Sequence, residues 1–423
     1  MDTEIVQSRI SQLNYGQLRS ALIAELDTKS KSNRSTSIIS RFSDFWLLGG
    51  ASIVVWAVMA LGQAFREKAD VVDNHFQQFG AFCSLMSILC NNPHFIISYR
   101  FGYGRGTKFV LKNWLPLLVV PLGLLALYAL AYFKFDTLIS DLSGYAQFNS
   151  ILESFGLPTK MGAETNLGTA ILTLSLWIMN LTVGWHYSKQ AFGCMMVYAH
   201  YDQYILSKFQ KNAIKVSVLS VATYFFLDFV STMSYPNAMP FGSTYSIALS
   251  SFEIPKFLLT FSGLIVFICA AVVVKSVFIK NYLALGKRPS WNFLIPWIAI
   301  HIWWIPFVRQ KEFIFMAVPF FHSLQYLPFA YRLEKDKIKR SKWMDVNISL
   351  RVALLIVVGF LAFELIPSGL DKSLNTMWTT RMPFFMSAFS VFINVHHFFI
   401  DSVVWKFDQS EIRESLLSKN KLL

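Results

Sequence analysis

The feature that most constrains this chain is a series of long apolar segments separated by short polar stretches. A helix that crosses a bilayer needs about 20 mainly apolar residues, because the hydrocarbon core is about 30 Å thick. In a chain of 423 residues that is 54% hydrophobic and 15% charged, we assign ten such segments. They are 45–65, 77–99, 113–133, 168–189, 214–234, 256–279, 291–307, 312–331, 347–366 and 383–405. The sequence therefore predicts an all-α, polytopic membrane protein with about ten transmembrane helices.

Two of these segments leave an alternative open. Only a short polar turn, with Arg309, Gln310 and Lys311, separates 291–307 from 312–331. The pair could form a helical hairpin, or it could be one broken re-entrant element whose irregular backbone is buried in protein.

The basic residues indicate how the segments are oriented. Every second connection is rich in Lys and Arg, as in 100–112, 208–215, 280–288 and 332–342, whereas 134–167, 235–255 and 367–382 are acidic or poor in charge. Basic loops face the cytoplasm, so both termini are predicted to be cytoplasmic. The net charge of +13 then reflects topology and contact with anionic lipid headgroups, and no nucleic-acid partner is expected. We expect a multi-pass protein of a bacterial inner membrane.

The same pattern divides the chain into three parts. Residues 1–44 carry an apolar helical stripe and a Ser/Thr/Lys-rich linker, which predicts a cytoplasmic amphipathic segment. Residues 45–405 form the transmembrane bundle, and 406–423 form a cytoplasmic tail. The four cysteines contain no CxxC pair, so the sequence predicts neither a disulfide framework nor a zinc knuckle.

Histidines point to a function for the bundle. An ionisable ring is costly inside hydrocarbon, so a histidine there is a functional candidate, and imidazole is the commonest protein ligand of transition metals. Five histidines from four segments fall within about 15 Å of the predicted cytoplasmic boundary, at a rise of about 1.5 Å per residue. We predict that they form a metal site: His94, His186, His322, His396 and His397. His301 lies nearer the middle of its segment, and His75 lies in a predicted outer loop.

Four of these histidines have a polar residue three or four positions later, on the same helix face. The four are His94, His186, His322 and His397. The polar residues are Ser98, Gln190, Gln325 and Asp401. We predict catalytic roles for Asp401, Gln190 and Gln325, which would orient the ligands or hydrogen-bond to groups around the metal. Adjacent helical residues point about 100° apart, so one of His396 and His397 is expected to ligate while the other packs or binds a second ion.

The motif Asn394-Val395-His396-His397 resembles the HxxHH box of membrane fatty-acid desaturases and hydroxylases. Single histidines on separate helices are also similar to the arrangement in Brp/Blh-type carotene dioxygenases, and the motifs are similar to those of bacterial polytopic membrane proteins. The resemblance implies a non-haem iron oxidoreductase that uses dioxygen on a lipid, isoprenoid or carotenoid. A dioxygenase needs no external electrons, whereas a hydroxylase or desaturase requires a cytoplasmic electron donor.

Two other functions fit the same residues. A metal-ion or proton transporter could use the histidines as a pathway together with Asp228 and Glu364. A membrane haem protein could use His186 and His200, whose spacing of fourteen is also found between haem ligands on one helix of b-type cytochromes. A lone histidine could also simply hydrogen-bond between helices, but four helices that bring histidines to one depth favour a site.

Overall fold

The computed structural model describes residues 36–64, 69–155, 165–233, 255–304, 311–340, 348–374, 384–407 and 409–417. Within these ranges the protein is all-helical, and the only extended pairing is an isolated bridge between Leu138 and Asn166. The predicted amphipathic segment lies mostly outside the described residues, since 1–35 are not among them. The fold class predicted from the apolar segments is therefore confirmed as a helical, membrane-type architecture.

Sixteen α-helices are described, and short π-helical turns interrupt several of the long ones. The helices are α1 Arg41–Phe45, α2 Ala51–Ala64, α3 Ala69–Tyr103, α4 Thr107–Lys112, α5 Val120–Phe133, α6 Tyr145–Ser154, α7 Leu167–Tyr201, α8 Lys208–Met233, α9 Lys256–Val273, α10 Lys280–Leu285, α11 Trp291–Trp304, α12 Lys311–Arg340, α13 Ile348–Phe360, α14 Ile366–Leu374, α15 Phe384–Val404 and α16 Ser410–Leu417. The π-helical turns are Trp46–Gly50, Leu115–Val119, Val274–Ile279 and Leu361–Leu365, and Ile139–Asp141 is a 3-10 turn.

Eight helical stretches among the described residues are long and apolar enough to cross a membrane. They are Arg41–Gly62, Gln78–Tyr103, Leu115–Phe133, Leu167–Tyr201, Lys208–Val230, Lys256–Ala284, Leu350–Leu374 and Phe384–Val404. Each corresponds to one of the ten predicted segments. The other two predicted segments, 291–307 and 312–331, correspond to α11 and α12, and the connection 305–310 between them lies outside the described residues.

Helix α7 is longer than the sequence predicted. The expected segment ends at residue 189, but the helix continues to Tyr201 and has 35 residues, or about 52 Å at 1.5 Å per residue. The extension is held by packing, because Cys194, Met195, Val197 and Tyr198 are buried in the core. This helix therefore extends well beyond the thickness of a hydrocarbon layer.

Part of the segment 406–423, predicted as a cytoplasmic tail, is helical and packs against the bundle. Residues 410–417 form α16, whose Ile412 and Leu416 are buried against the bundle. Arg332 Nε donates to the Ser415 carbonyl at 2.7 Å, and Tyr201 Oη donates to the Leu416 carbonyl at 2.5 Å. The amphipathic pattern of this short segment is thus used for docking, while 418–423 lie outside the described residues.

A buried carboxylate fixes the start of the first span. Asp44 accepts hydrogen bonds from the backbone N–H groups of Ile38 and Ile39, at 2.7 and 3.1 Å, and from the Tyr198 hydroxyl. This arrangement turns the chain into α1, which begins at Arg41 rather than at the predicted residue 45.

Gly49 is required by the geometry of the π-helical turn Trp46–Gly50. Its φ of 148° is open to glycine, and a Cβ there would lie 2.9 Å from Ile295 and 3.0 Å from Ala299. The irregular turn also presents the Leu48 carbonyl to the Gln325 side chain, which donates to it at 2.8 Å.

Four helices form the centre of the bundle. Helix α12 packs along α3, and α15 packs against both α3 and α7. These are the four helices that carry His94, His186, His322 and His397. The packing therefore brings the histidine-bearing segments together although they are far apart in the chain.

Candidate metal centre

Four of the five predicted ligands meet at one point inside the bundle. His94, His186, His322 and His397 are all buried, and each offers one ring nitrogen such that all four nitrogens lie within 4.8 Å of one another. Opposite ligands of an octahedral ion held by imidazoles would be about 4.2 Å apart, twice a metal–nitrogen distance of about 2.1 Å. The group is thus close to the size of a single metal site.

The closest pair of nitrogens has a spacing suited to a common ion. His397 Nε2 and His186 Nε2 are 3.2 Å apart. An ion about 2.1 Å from each nitrogen would hold them at an angle of about 100°, between the octahedral and tetrahedral values. The same distance also permits one imidazole N–H to donate to the other, so the pair is compatible with a metal-free state.

Hydrogen bonding sets the tautomer of His94. The Ser323 hydroxyl donates its proton to Asn91 Oδ1 at 2.7 Å or to the Pro319 carbonyl at 2.9 Å. His94 Nδ1, at 3.3 Å from the same hydroxyl oxygen, must therefore be the donor in their contact. The other ring nitrogen, Nε2, is left with a free lone pair, which is the form of imidazole that binds metals.

Buried nitrogens of the group have no hydrogen-bond partner among the described residues. These atoms are His94 Nε2, His322 Nε2 and His397 Nδ1. A buried polar atom without a partner costs about 1–3 kcal/mol, and such atoms in a folded protein call for an explanation. A bound cation would satisfy the nitrogens that carry lone pairs.

Proline residues lie within the helices close to two of the clustered histidines. Pro93 directly precedes His94 in α3, and Pro319 lies one turn before His322 in α12. Proline cannot donate to the carbonyl four residues earlier, so it disturbs the local helix. The Ser323 hydroxyl lies 2.9 Å from the Pro319 carbonyl on the same helix, one turn earlier.

Asp401 lies at the edge of the histidine group. Its Oδ2 is 3.4 Å from His397 Nε2 and 3.8 Å from His186 Nε2, and its side chain is buried. The sequence paired it with His397 one helical turn away, and the structure brings it close to His186 as well. A carboxylate here could balance the charge of a cation or serve as a further oxygen ligand.

The side chains of Gln190 and Gln325 hydrogen-bond to backbone carbonyls and to each other, and these bonds link helices. Gln190 Nε2 donates to the His322 carbonyl and to Gln325 Oε1, both at 3.0 Å. Gln325 in turn donates to the Leu48 carbonyl. Ser98 likewise hydrogen-bonds with Tyr326 Oη at 2.8 Å instead of with His94. The described hydrogen bonds link α7, α12 and the first span around the site.

His396, also predicted as a metal ligand, lies outside this group. Tyr103 Oη donates to the Leu117 carbonyl at 2.6 Å, so His396 Nε2 must donate to Tyr103 Oη at 3.1 Å. Its Nδ1 then accepts from Tyr99 Oη at 2.9 Å. Both ring nitrogens are engaged because adjacent helical residues point about 100° apart, and only His397 faces the group.

Other candidate residues also lie elsewhere. His301 is bonded to Ser217 Oγ at 3.0 Å and to the Trp297 carbonyl at 2.7 Å, and it is not part of the group. Glu364 accepts from Asn92 at 3.3 Å. His200, Asp228 and Glu364 are not among the four clustered residues, and the side chain of His75 lies outside the described part.

The sequence analysis missed two residues that contact the site. Ser323 fixes the tautomer of His94, and the Tyr326 ring lies over the His94 ring with centroids 3.8 Å apart. The Tyr187 ring stacks on the His322 ring, with centroids 4.0 Å apart. Ser323 is adjacent to His322 in the sequence, but a contact between helices leaves no periodic signal.

A cavity of about 190 Å³ reaches the site from one side. It contacts His186, Gln190 and Asp401, and its remaining walls come mainly from α7, α15 and α16. This volume is well above the roughly 10–15 Å³ that one water needs by the same measure. Small molecules or part of a longer chain could therefore approach the histidines.

Comparison of the chain with protein-family models, with curated proteins and with solved structures finds no match.

Proposed function

We propose that this protein is an integral-membrane, metal-dependent oxidoreductase that holds non-haem iron and acts with dioxygen on a lipid, isoprenoid or carotenoid substrate. One observation carries the proposal: four buried imidazoles from four helices converge within 4.8 Å beside a buried carboxylate. The ligand set is His94, His186, His322 and His397, with Asp401 as a neighbour of two of them.

The donor set supports iron as the metal. Imidazole with carboxylate suits iron, and open coordination positions on such an ion are where dioxygen chemistry takes place. Haem is a poorer fit at this point, because four rings around one centre leave no plane for a macrocycle. The aromatic rings of Tyr187 and Tyr326 cover His322 and His94, and such walls exclude water and limit side reactions.

The proposal includes the finer topology. Ten spans with both termini in the cytoplasm would put the metal centre in the inner half of a bacterial inner membrane, next to the inner-leaflet lipids. A cytoplasmic electron donor could then reach this side of the protein if the reaction is a hydroxylation or desaturation.

Transport of a metal ion or proton is the competing function. It would require a continuous pathway, and in the sequence Asp228 and Glu364 were the acids available for one. Neither belongs to the clustered group, and Glu364 is bonded to Asn92. The enzyme is therefore preferred, and flux through the bundle is the alternative that an experiment must exclude.

The direct test is elemental analysis and an absorption spectrum of the full-length protein, with His322→Ala beside it. We expect near-stoichiometric iron without a Soret band in the wild type, and at least about a tenfold lower metal content in the variant, which loses a direct ligand. Dioxygen consumption should then rise when lipids, isoprenoids or carotenoids are supplied to the wild type.

Three results would contradict the proposal. A Soret band would indicate haem, and undiminished iron in folded His322→Ala would mean that the group is not the metal site. Metal or proton flux in vesicles, without dioxygen consumption on any of the substrate classes, would favour the transporter.

Asp401→Asn is expected to weaken iron binding by at least about tenfold, because the carboxylate lies beside the imidazole nitrogens that would face the ion and would be lost as a balancing charge or oxygen ligand. The amide keeps the size of the side chain but loses its charge. Competition with a chelator of known affinity measures the change. Ser402→Ala is the adjacent control, because the Ser402 hydroxyl is bonded to the Phe399 carbonyl, and its iron affinity should remain that of the wild type.

A further inference from the structure

The cavity beside the histidines is elongated along one helix. Its wall on α7 runs from His186 through Gly193 to Val197, which are eleven positions apart, or about 16 Å at 1.5 Å per residue. Trp405, directly after the end of α15, and Leu416 on α16 also line the cavity. Such a space suits an extended chain better than a compact, rounded molecule.

The polarity of the walls changes along this length. His186, Gln190 and Asp401 line one end, next to the histidine group. The other end is apolar and includes residues from three helices: Val197, Phe329, Ile412 and Leu416. A ligand that fits both ends would have a polar head near the histidines and an apolar tail directed toward α16.

A positively charged side chain, Lys189, lies at the polar end of the cavity. Its Nζ lies 5.7 Å from the centre of the Trp185 ring and 5.5 Å from that of Phe398. The positive charges of Lys215 and Lys406 both act on it. Among the described residues, the ion pairs include no carboxylate partner for Lys189. Asp401 is the carboxylate that lines the same cavity, and against it the three lysines leave a local excess of positive charge, which favours an anionic head group.

We propose that this cavity binds a single-chain anionic amphiphile, with its carboxylate or phosphate at Lys189 and its apolar chain extending along α7 to Leu416. This inference deepens the proposed function, because it names the substrate class of the same site. The one elongated space accommodates one chain, which favours a fatty-acid anion or a lysophospholipid over a two-chain lipid. The carbons nearest the head group would lie closest to His186.

The test is native mass spectrometry of the full-length, metal-depleted protein in detergent, titrated with oleate, oleoyl lysophosphatidate, dioleoyl phosphatidate or oleyl alcohol. We expect one oleate or lysophosphatidate per chain, with oleyl alcohol bound at least about tenfold more weakly because it lacks the charge that Lys189 attracts. The carboxylate and phosphate ligands identify which head group the site prefers, and the phosphatidate tests whether two chains fit.

Two variants test the two ends of the site. Lys189→Gln should weaken binding of the anions by at least about tenfold and leave binding of oleyl alcohol unchanged, because the substitution removes a charge but no apolar surface. Gly193→Leu should weaken all the single-chain ligands, because a Cβ at Gly193 meets no protein atom within 4 Å and the side chain would extend into the cavity. The matched controls are Lys256→Gln and Gly123→Leu, which lie on α9 and α5 away from the cavity.

Oleate binding that is unchanged in Lys189→Gln, or binding of all ligands that is unchanged in Gly193→Leu, would overturn the inference. Equal binding of oleyl alcohol and oleate would also overturn it. Iron content is measured separately on the undepleted proteins. If the wild type holds no iron but the anions bind as expected, the proposed function fails while the amphiphile site stands. If the wild type holds iron but the anions do not bind, the amphiphile site fails while the proposed function stands.

Discussion

His397→Ala is expected to lose the bound metal, whereas His396→Ala is expected to retain it. The two residues are adjacent on α15, yet only His397 points its ring into the group with His94, His186 and His322. Removal of a direct ligand should lower iron affinity by more than about 100-fold, since loss of a supporting residue alone costs 10–100-fold. His396 instead bonds with Tyr99 and Tyr103, so its loss leaves the four ligands in place.

The measurement is iron content after dialysis against a weak chelator, together with helicity and elution volume to establish that both variants fold. Because the pair shares one helix and one depth, a general effect of removing a buried histidine would lower the metal content of both. Metal loss in His396→Ala with retention in His397→Ala would reverse the assignment of the ligand.

Asp44→Ala is expected to destabilise the protein by about 3–9 kcal/mol, because two backbone N–H groups and the Tyr198 hydroxyl would each lose a buried acceptor, at about 1–3 kcal/mol apiece. Unfolding in mixed detergent micelles, followed by tryptophan fluorescence, measures the free energy. The effect should appear without metal, because Asp44 contacts none of the clustered histidines.

Two variants separate this network from general effects of substitution. Tyr198→Phe removes one hydrogen bond of the three and should cost less than Asp44→Ala. Glu153→Ala changes an exposed acid on α6 and should alter the unfolding free energy by less than about 0.5 kcal/mol. If Asp44→Ala were no more destabilising than Glu153→Ala, the buried carboxylate would not be what anchors the start of the first span.

Much of the architecture could be predicted from the sequence because a bilayer imposes a length on each apolar segment. Eight of the ten predicted segments correspond to helices that could cross a membrane. The helix ends were harder to predict. The extension of α7 to Tyr201 and the docking of α16 depend on burial of particular side chains against other helices, and hydropathy along one segment contains no information about such partners.

The residues of the site could likewise be predicted only in part. Counting residues to a charged loop predicted a common depth for the histidines, and the structure brings four of them together. Rotation about the helix axis was not determined, and therefore His396 and His397 could not be distinguished. Packing between helices also creates hydrogen bonds that the sequence could not reveal. Gln190 and Gln325 bond to backbone carbonyls, and Ser323 bonds to His94, between residues 132 to 277 positions apart.

The distribution of the four histidines over α3, α7, α12 and α15 has a consequence for biosynthesis. The first three imidazoles emerge from the ribosome and enter the membrane well before His397, whose helix begins at Phe384. A metal held by all four could bind only after α15 has been inserted and packed. Under the proposed function, metal loading would follow insertion of α15, and a chain truncated before this helix would pass through the membrane machinery without acquiring the metal.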